Sequence, residues 1–476
     1  MVGSPLRRGG GRAARTRWYL GGAAVLAVVV VVVLVVVTGG SSGTSPDATA
    51  TSASPRGGGV NLLAPPGPAQ ARPPEGPLQA PADATGVTGS TIRVGIQVLD
   101  AKVLTAAGLP TASVDLAGIL RSFVDDMNAR GGVNGRRIEP VFRTTNPIDQ
   151  TAMRADCLAW SRDEKVFAVL TVAGFSGPPV RCLTEENDTI VIAADGQPEA
   201  WYQSAQGMLI TMATAKERVL RNFAEWLDRT NVLEGRTVGL VSSGGTDGDA
   251  VEAALVPELT GRGQPVASRF TLSTDIAEQS RQYRVAIDGF RRAGVTTIVA
   301  TTSYYPTAGL MAAAEQAGFR PQWIFSPFAA GTTDLSAGRF PLDVDAIGTA
   351  NNRVGETVAG LPLAADEKAC LDVYARQTGN PVDENDRTKV STVSGACALF
   401  KIFETGLRNA GRDLDRRTFA DGVQRIGRVT LPAAGASSFL PGKLDGADTS
   451  RVVRFQPDCR CWVPEPNSRL EPMPLL

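Results

Sequence analysis

The sequence predicts an α/β protein built as two doubly wound parallel-sheet lobes. Three observations carry this. The chain opens, from Thr91, with a strand, a helix and a second strand; short apolar strands and amphipathic helices then alternate as far as Phe325; and that alternation divides into two similar halves.

The opening strand is Thr91-Ile-Arg-Val-Gly-Ile-Gln97. Leu116, Ile119, Leu120, Phe123, Val124 and Met127 then recur at three- and four-residue spacing, which draws one apolar stripe along a helix ending near Arg130. Gly131-Gly132 can take the left-handed conformation that closes a helix, and Asn134-Gly135 supplies a second turn. The Ile138 and Val141 side of the next segment reads as a strand. A helix around Thr151–Trp160, a strand Val166–Val172, a helix from about Pro178 and a strand Thr189–Ala193 complete the first set. The second set begins at Thr214-Ala-Lys-Glu217, a capping-box spacing ahead of a helix with Val219, Leu220, Phe223, Trp226 and Leu227 on one face. Thr237–Val241, Ser268–Leu272, Thr296–Ala300 and Gln322–Phe325 read as its strands, with helices Ala250–Thr260, Glu278–Ala293 and Thr307–Ala317 between them. Further helices are expected around Lys368–Arg376, Ser394–Asn409 and Thr418–Ile426.

Upstream of Thr91 the composition changes. Residues 1–17 carry Arg7, Arg8, Arg12, Arg15 and Arg17, and an almost unbroken apolar run, Trp18–Val37, follows. At about 1.5 Å per residue in a helix this run spans roughly 30 Å, the hydrocarbon thickness of a bilayer. The arginines place the N-terminus in the cytoplasm and the body of the chain outside. The run is long for a signal core, and Val36-Val37-Thr38-Gly39-Gly40 is a poor cleavage site, so an uncleaved anchor is expected; cleavage would make the protein secreted. Residues 38–90 are rich in Gly, Ser, Ala, Thr and Pro and hold too little apolar surface to fold, which predicts a disordered tether.

Charge and composition exclude several functions. The 476 residues include 48 basic and 48 acidic side chains, so no net field favours nucleic acid. The chain has no histidine, which removes Ser-His-Asp and Cys-His nucleophiles, zincin motifs and histidine general bases. Ser242-Ser-Gly-Gly-Thr-Asp-Gly248 is a glycine-rich turn that lacks both the phosphate-loop and the dinucleotide fingerprints. No catalytic residue, metal site or cofactor is expected, and the leading expectation is a non-enzyme; a hydrolase is the least favoured alternative. Six cysteines outside a membrane favour disulfides. Cys157 and Cys182 fall on successive helices, as do Cys370 and Cys397, which predicts those two bridges and leaves Cys459 and Cys461 to each other.

The stretch Asn128-Ala-Arg-Gly-Gly-Val-Asn-Gly-Arg136, one helix after the Ile92-Arg-Val-Gly-Ile96 strand, closely resembles the opening of the type I periplasmic solute-binding proteins of the leucine/isoleucine/valine-binding kind. More weakly, the resemblance extends from about Thr91 to about Val463. It implies two lobes joined by a multi-strand hinge, with lobe 1 formed by residues 91–213 and 327–431, lobe 2 by 214–326 and 432–465, and a tail at 466–476. It also implies capture of a small, amino-acid-like or other organic solute and its delivery to the permease and ATPase subunits of an ABC importer. A sensor or adaptor of the same fold is the alternative. Doubly wound sheets bind ligands beyond the carboxyl ends of their strands, where four loops stand: Gly174–Gly177, Asp195–Gln197, Thr246-Asp247 and Ser303–Pro306. The resemblance places Phe175, Ser176, Gly196 and Gln197 at the ligand carboxylate and Tyr304 or Tyr305 over the ligand. Where amino-acid binders of the family hold the ligand ammonium with an acidic residue, this chain has Phe328, with Asp195 and Asp247 as possible substitutes. A simple branched-chain amino acid is therefore not the expected ligand.

Overall fold

A computed structural model describes residues 84–107, 111 and 113–475. The expected N-terminal anchor, Trp18–Val37, and nearly all of the tether lie outside the described residues, among which no helix is long and apolar enough to cross a membrane.

The first lobe runs β1 (Thr91–Leu99), α1 (Ala101–Ala106), α2 (Leu116–Ala129), β2 (Arg137–Thr145), α3 (Gln150–Leu158), β3 (Ala168–Thr171), α4 (Pro178–Arg181), β4 (Ile190–Ala193), α5 (Glu199–Ser204) and β5 (Leu209–Thr211). Its five strands are all parallel, in the order β2-β1-β3-β4-β5. The second lobe continues with α6 (Lys216–Arg229), β6 (Val238–Ser243), α7 (Thr246–Ala250), α8 (Val256–Gly261), β7 (Val266–Leu272), α9 (Ile276–Arg292), β8 (Thr297–Thr301), α10 (Tyr304–Gln316), β9 (Gln322–Phe325), α11 (Asp334–Ala337) and β10 (Ala346–Ala350). Its parallel strands repeat the order of the first lobe, β7-β6-β8-β9-β10. The two similar halves read from the sequence are thus two sheets of one topology.

After β10 the chain returns to the first lobe with α12 (Ala365–Thr378), α13 (Arg387–Ala410) and α14 (Arg416–Gln424), whose Leu371, Val393, Phe400, Phe403 and Phe419 share a core with the β1 and β3 side chains. A hairpin of β11 (Gly427–Leu431) and β12 (Gly435–Phe439) follows, and β13 (Thr449–Gln456) and β14 (Cys461–Pro464) then extend the second sheet in antiparallel fashion. Two expected boundaries shift. Residues 327–350 stay in the second lobe, because α11 packs Ala337 into its core and β10 pairs with β9. Residues 432–447 stay with the first lobe, because β12 pairs with β11 and buries Phe439 there. Short strands such as β5 and β10 left no readable alternation.

The Asn128–Arg136 stretch is a structural lock. Asn128 holds β2 through both its amide atoms, donating to the Ile138 carbonyl at 2.9 Å and accepting the Ile138 N–H at 2.8 Å. Arg130 makes a two-pronged contact with Glu404 of α13, and Asn134 donates to the Leu407 and Gly411 carbonyls at the end of that helix. Arg136, fully buried, donates to the Thr88 and Arg412 carbonyls. Gly132 has φ +75°, and a Cβ there would meet the Arg136 carbonyl oxygen at 2.0 Å, so the turn requires glycine.

Three bridges are present: Cys157–Cys182 ties α3 to the turn after α4, Cys370–Cys397 ties α12 to α13, and Cys459–Cys461 closes the β13–β14 turn. The capping box expected at Thr214 does not form. The Thr214 hydroxyl donates instead to the Ala447 carbonyl at 2.7 Å, and Glu217 accepts the Glu199 N–H. This places Thr214 among the chain crossings between the lobes, where Asn351 also reaches it and Asp445 accepts the Ala215 N–H. Arg218, Lys443, Asp445 and Asp448 form a buried, charge-balanced cluster at this hinge. Burial works to raise the Asp445 carboxyl, but Arg218 and Lys443 outweigh it and hold that carboxyl below the usual range.

Candidate ligand-binding site

In the first sheet the strand order reverses between β1 and β3, and a crevice opens at the carboxyl ends of these two strands, where doubly wound sheets place ligands. A chamber of about 550 Å³ fills that crevice, walled by Val98 and Leu99 from β1, Val172 after β3, Met212 after β5, and Ala396 and Leu399 from α13. Thr333 of the second lobe closes part of it. A second chamber of about 540 Å³ adjoins it, sharing Thr111, Thr333, Ser391 and Thr392, and continues between α11 of the second lobe and α13 of the first. The two form one cleft between the lobes.

The chambers differ in polarity. The inner one carries a single charged side chain, Asp115, whose carboxylate already caps α2 through the Gly118 N–H. The outer one is lined by four acidic and three basic side chains. Asp334, the first residue of α11, accepts from Arg387 Nε of α13 at 2.9 Å through one carboxylate oxygen, while its Oδ1 is buried without a hydrogen-bond partner among the described residues. Arg353 lies 3.4 Å from Asp366, and its Nε is likewise buried and unpartnered. Burial pushes the Glu367 carboxyl up to about 7, with Arg353 opposing the rise.

Two of the residues assigned to the ligand from the sequence are core residues instead. Phe175 is buried edge-on against Trp160, with ring centroids 5.8 Å apart, among the side chains around the Cys157–Cys182 bridge. Phe328 is buried with Leu220, Phe223 and Val251 in the second-lobe core, so its phenyl ring does not stand where an ammonium would. The residues after it, Ala329 and Ala330, both hold positive φ, at +50° and +60°, a backbone strain of about 1–3 kcal/mol each that turns the chain so that Thr333 and Asp334 reach the cleft.

The remaining assigned positions mostly build loops. Asp195 accepts the Gly174 N–H at 2.9 Å, tying the β3 and β4 loops together, and burial pushes its carboxyl up. Gly196 lets the Thr214 carbonyl approach to where a Cβ would stand, at 2.0 Å. Gln197 is fully buried and accepts the Lys216 N–H through its backbone, while its Oε1 has no partner among the described residues. Asp247 pairs with Lys216 Nζ at 2.6 Å, and Lys216 in turn acts electrostatically on Asp195. Ser176 is partly exposed in the turn before α4, and Tyr305 is partly buried in the first turn of α10 beside Tyr283. The Tyr304 side chain lies outside the described residues. Among the described residues, none of these side chains lines either chamber. Asp334, Arg353, Glu367 and Arg387 were missed because they come from segments without a motif; Thr333-Asp334, a helix-start pair, is the one local signal. Among the described residues no cluster of three or more His, Cys, Asp or Glu side chains is placed to hold a metal ion.

No protein-family model and no curated protein sequence matches this chain. Solved structures do. A fatty acid ABC transporter substrate-binding protein from Thermomonospora curvata superposes with a TM-score of 0.60 at 16% identity, over 84% of this chain and 95% of that one. A leucine-binding protein from Thermotoga maritima gives 0.59 at 13% identity, over 80% and 98%. An extracellular ligand-binding receptor from Rhodopseudomonas palustris gives 0.61 at 13% identity, over 79% and 100%. With two lobes of one topology, three crossings between them and a cleft at the strand ends, the chain has the fold of the type I periplasmic solute-binding proteins.

Proposed function

We propose that this protein is a membrane-tethered, extracytoplasmic solute-binding protein that captures a small organic solute by closing its two lobes and delivers it to the permease and ATPase of an ABC importer. The observation that supports this reading best is the cleft itself: its inner chamber sits at the β1/β3 switch point, and its far wall, Thr333, comes from the other lobe. A solute touching both walls favours the closed arrangement by the contacts available only there. Similar structures carry names that give leucine or fatty acid as the ligand, so the fold serves both zwitterions and apolar chains. Binding without chemical change is the activity proposed, and the lack of histidine supports it.

Reconstitution tests this reading. The full chain is combined in proteoliposomes with candidate ABC permease and ATPase subunits from the same cell, and solutes are screened first for a thermal shift. A solute at about 100 times its dissociation constant adds about 2.7 kcal/mol. The expected result is a solute that stabilises the chain, is recovered chemically unchanged, and accumulates inside vesicles only when the chain is present. Solute binding without any effect on uptake would favour a sensor. Fractionation of cells carrying the chain without residues 18–37 tests the tether: the body should leave the membrane fraction.

A further inference from the structure

The two chambers of the cleft differ too much to serve a free amino acid. A zwitterion needs a counter-ion for each charge, and an unpaired charge buried in an apolar site costs several kcal/mol. The inner chamber offers no cation. Its one carboxylate caps α2, and the Ser391 and Thr392 hydroxyls donate back to the Thr388 carbonyl of their own helix. Its volume of about 550 Å³ equals on the order of 18 waters at about 30 Å³ each. Closing over a leucine would leave most of those waters against Val98, Leu99, Val172 and Leu399, whereas a hydrocarbon chain would displace them.

The outer chamber asks for something else. Its four acidic and three basic side chains nearly cancel, so it exerts little net pull on a charged group. Two atoms there are buried without partners: an acceptor, Asp334 Oδ1, and a donor, Arg353 Nε. Each already holds a counter-ion, Arg387 for Asp334 and Asp366 with Glu367 for Arg353, so the two vacant positions call for a hydrogen bond and not for a further charge. An uncharged head that both donates and accepts suits both.

We propose that the ligand is an amphipath whose straight apolar chain fills the inner chamber and whose uncharged hydrogen-bonding head, a primary amide or a hydroxyl, lies in the outer chamber. This rests on the solute-binding reading above.

Gly395 of α13 provides the test. It lines the inner chamber, and a Cβ added there meets nothing within 4 Å, so Gly395→Phe narrows the chamber by one phenyl ring with no clash at its Cβ. Calorimetry on the full chain in detergent-free lipid nanodiscs, with empty nanodiscs as reference, would use straight-chain primary amides from butyl to octyl. The matching carboxylates and amines, and leucine, serve as comparators. Each added methylene should tighten amide binding about fourfold, the equivalent of about 0.8 kcal/mol, until the chamber is full. Gly395→Phe should end that increment at a shorter chain while leaving the circular dichroism spectrum unchanged. Asp334→Asn and Arg353→Gln should each weaken the amide at least fivefold without changing the chain-length increment. Affinity that does not change from butyl to octyl, or leucine binding more tightly than every amide, with lobe closure seen by small-angle scattering, would overturn the inference and leave the solute-binding reading standing. A carboxylate or amine series that outbinds the amides would overturn the assignment of the head. Absence of closure with any solute in a broad screen would instead remove the reading on which it rests.

Discussion

Arg387 of α13 donates Nε to Asp334 of α11 at 2.9 Å, and this ion pair joins the first lobe to the second across the mouth of the cleft. A second guanidinium nitrogen of Arg387 reaches the Cys459 carbonyl, also in the second lobe, at 3.5 Å. One side chain therefore spans the gap between the lobes at two points.

Removing this latch should open the unliganded protein. Both partners are partly exposed, so the pair is worth no more than about 1 kcal/mol, or roughly a fivefold shift in the open-to-closed ratio. Arg387→Ala should raise the radius of gyration of the ligand-free chain in small-angle scattering, and the swap Arg387→Asp with Asp334→Arg should restore it. An unchanged scattering profile would mean that the pair does not hold the lobes.

The Gly131-Gly132 turn predicts unequal costs for equal substitutions. Both residues have positive φ, but only at Gly132 does a new Cβ strike backbone, the Arg136 carbonyl at 2.0 Å. Gly131→Ala should cost about 1 kcal/mol and Gly132→Ala more than about 2 kcal/mol in denaturant unfolding.

Glu367 predicts a pH dependence with a definite sign. Its folded carboxyl titrates near 7, above the ordinary value of 4.5, so between these values the unfolded chain has released a proton that the folded chain keeps. Stability is highest below pH 4.5 as far as this group is concerned, falls as pH rises to about 7, and is level beyond; the loss is about 3 kcal/mol. Glu367→Gln should flatten that slope in melts from pH 5 to 8 and should stabilise the protein at pH 8.

The bridges should differ in weight. By loop-closure entropy, Cys157–Cys182 and Cys370–Cys397, with separations of 25 and 27 residues, each contribute about 3 to 4 kcal/mol, and Cys459–Cys461, with a separation of 2, contributes less. Paired Cys→Ala variants in urea titrations should rank in that order, and non-reducing peptide mapping should recover all three bridges.

Much of the fold was legible because it is encoded locally. The stripe from Leu116 to Met127 is one helix face, and its Ile119, Leu120, Phe123, Val124 and Met127 are buried as read. The paired glycines after it turn as read. The cleft was less legible because no local stretch encodes it. Val98, Met212, Thr333 and Leu399 meet only after two crossings between lobes, and nothing in the surroundings of any one of them announces the others. Phe175 and Phe328 illustrate the converse: they follow strands, where ligand loops belong, yet each side chain turned inward because an apolar slot, beside Trp160 in one case and Leu220 in the other, was available to bury it. The stretch that announced the fold, Asn128–Arg136, contributes no wall to either chamber, so it says how the scaffold is locked and nothing about what is carried.

The charge cluster at the hinge and the latch at the mouth lie at very different depths, and ionic strength separates them. Arg218, Lys443, Asp445 and Asp448 are sheltered from mobile ions, whereas Arg387 and Asp334 are not. Rising salt therefore loosens the jaw and leaves the pivot as stiff as before. In saltier surroundings the lobes would rest further apart on an unaltered axis, so salinity would adjust the width of the cleft without wearing down the joint that holds the lobes in register.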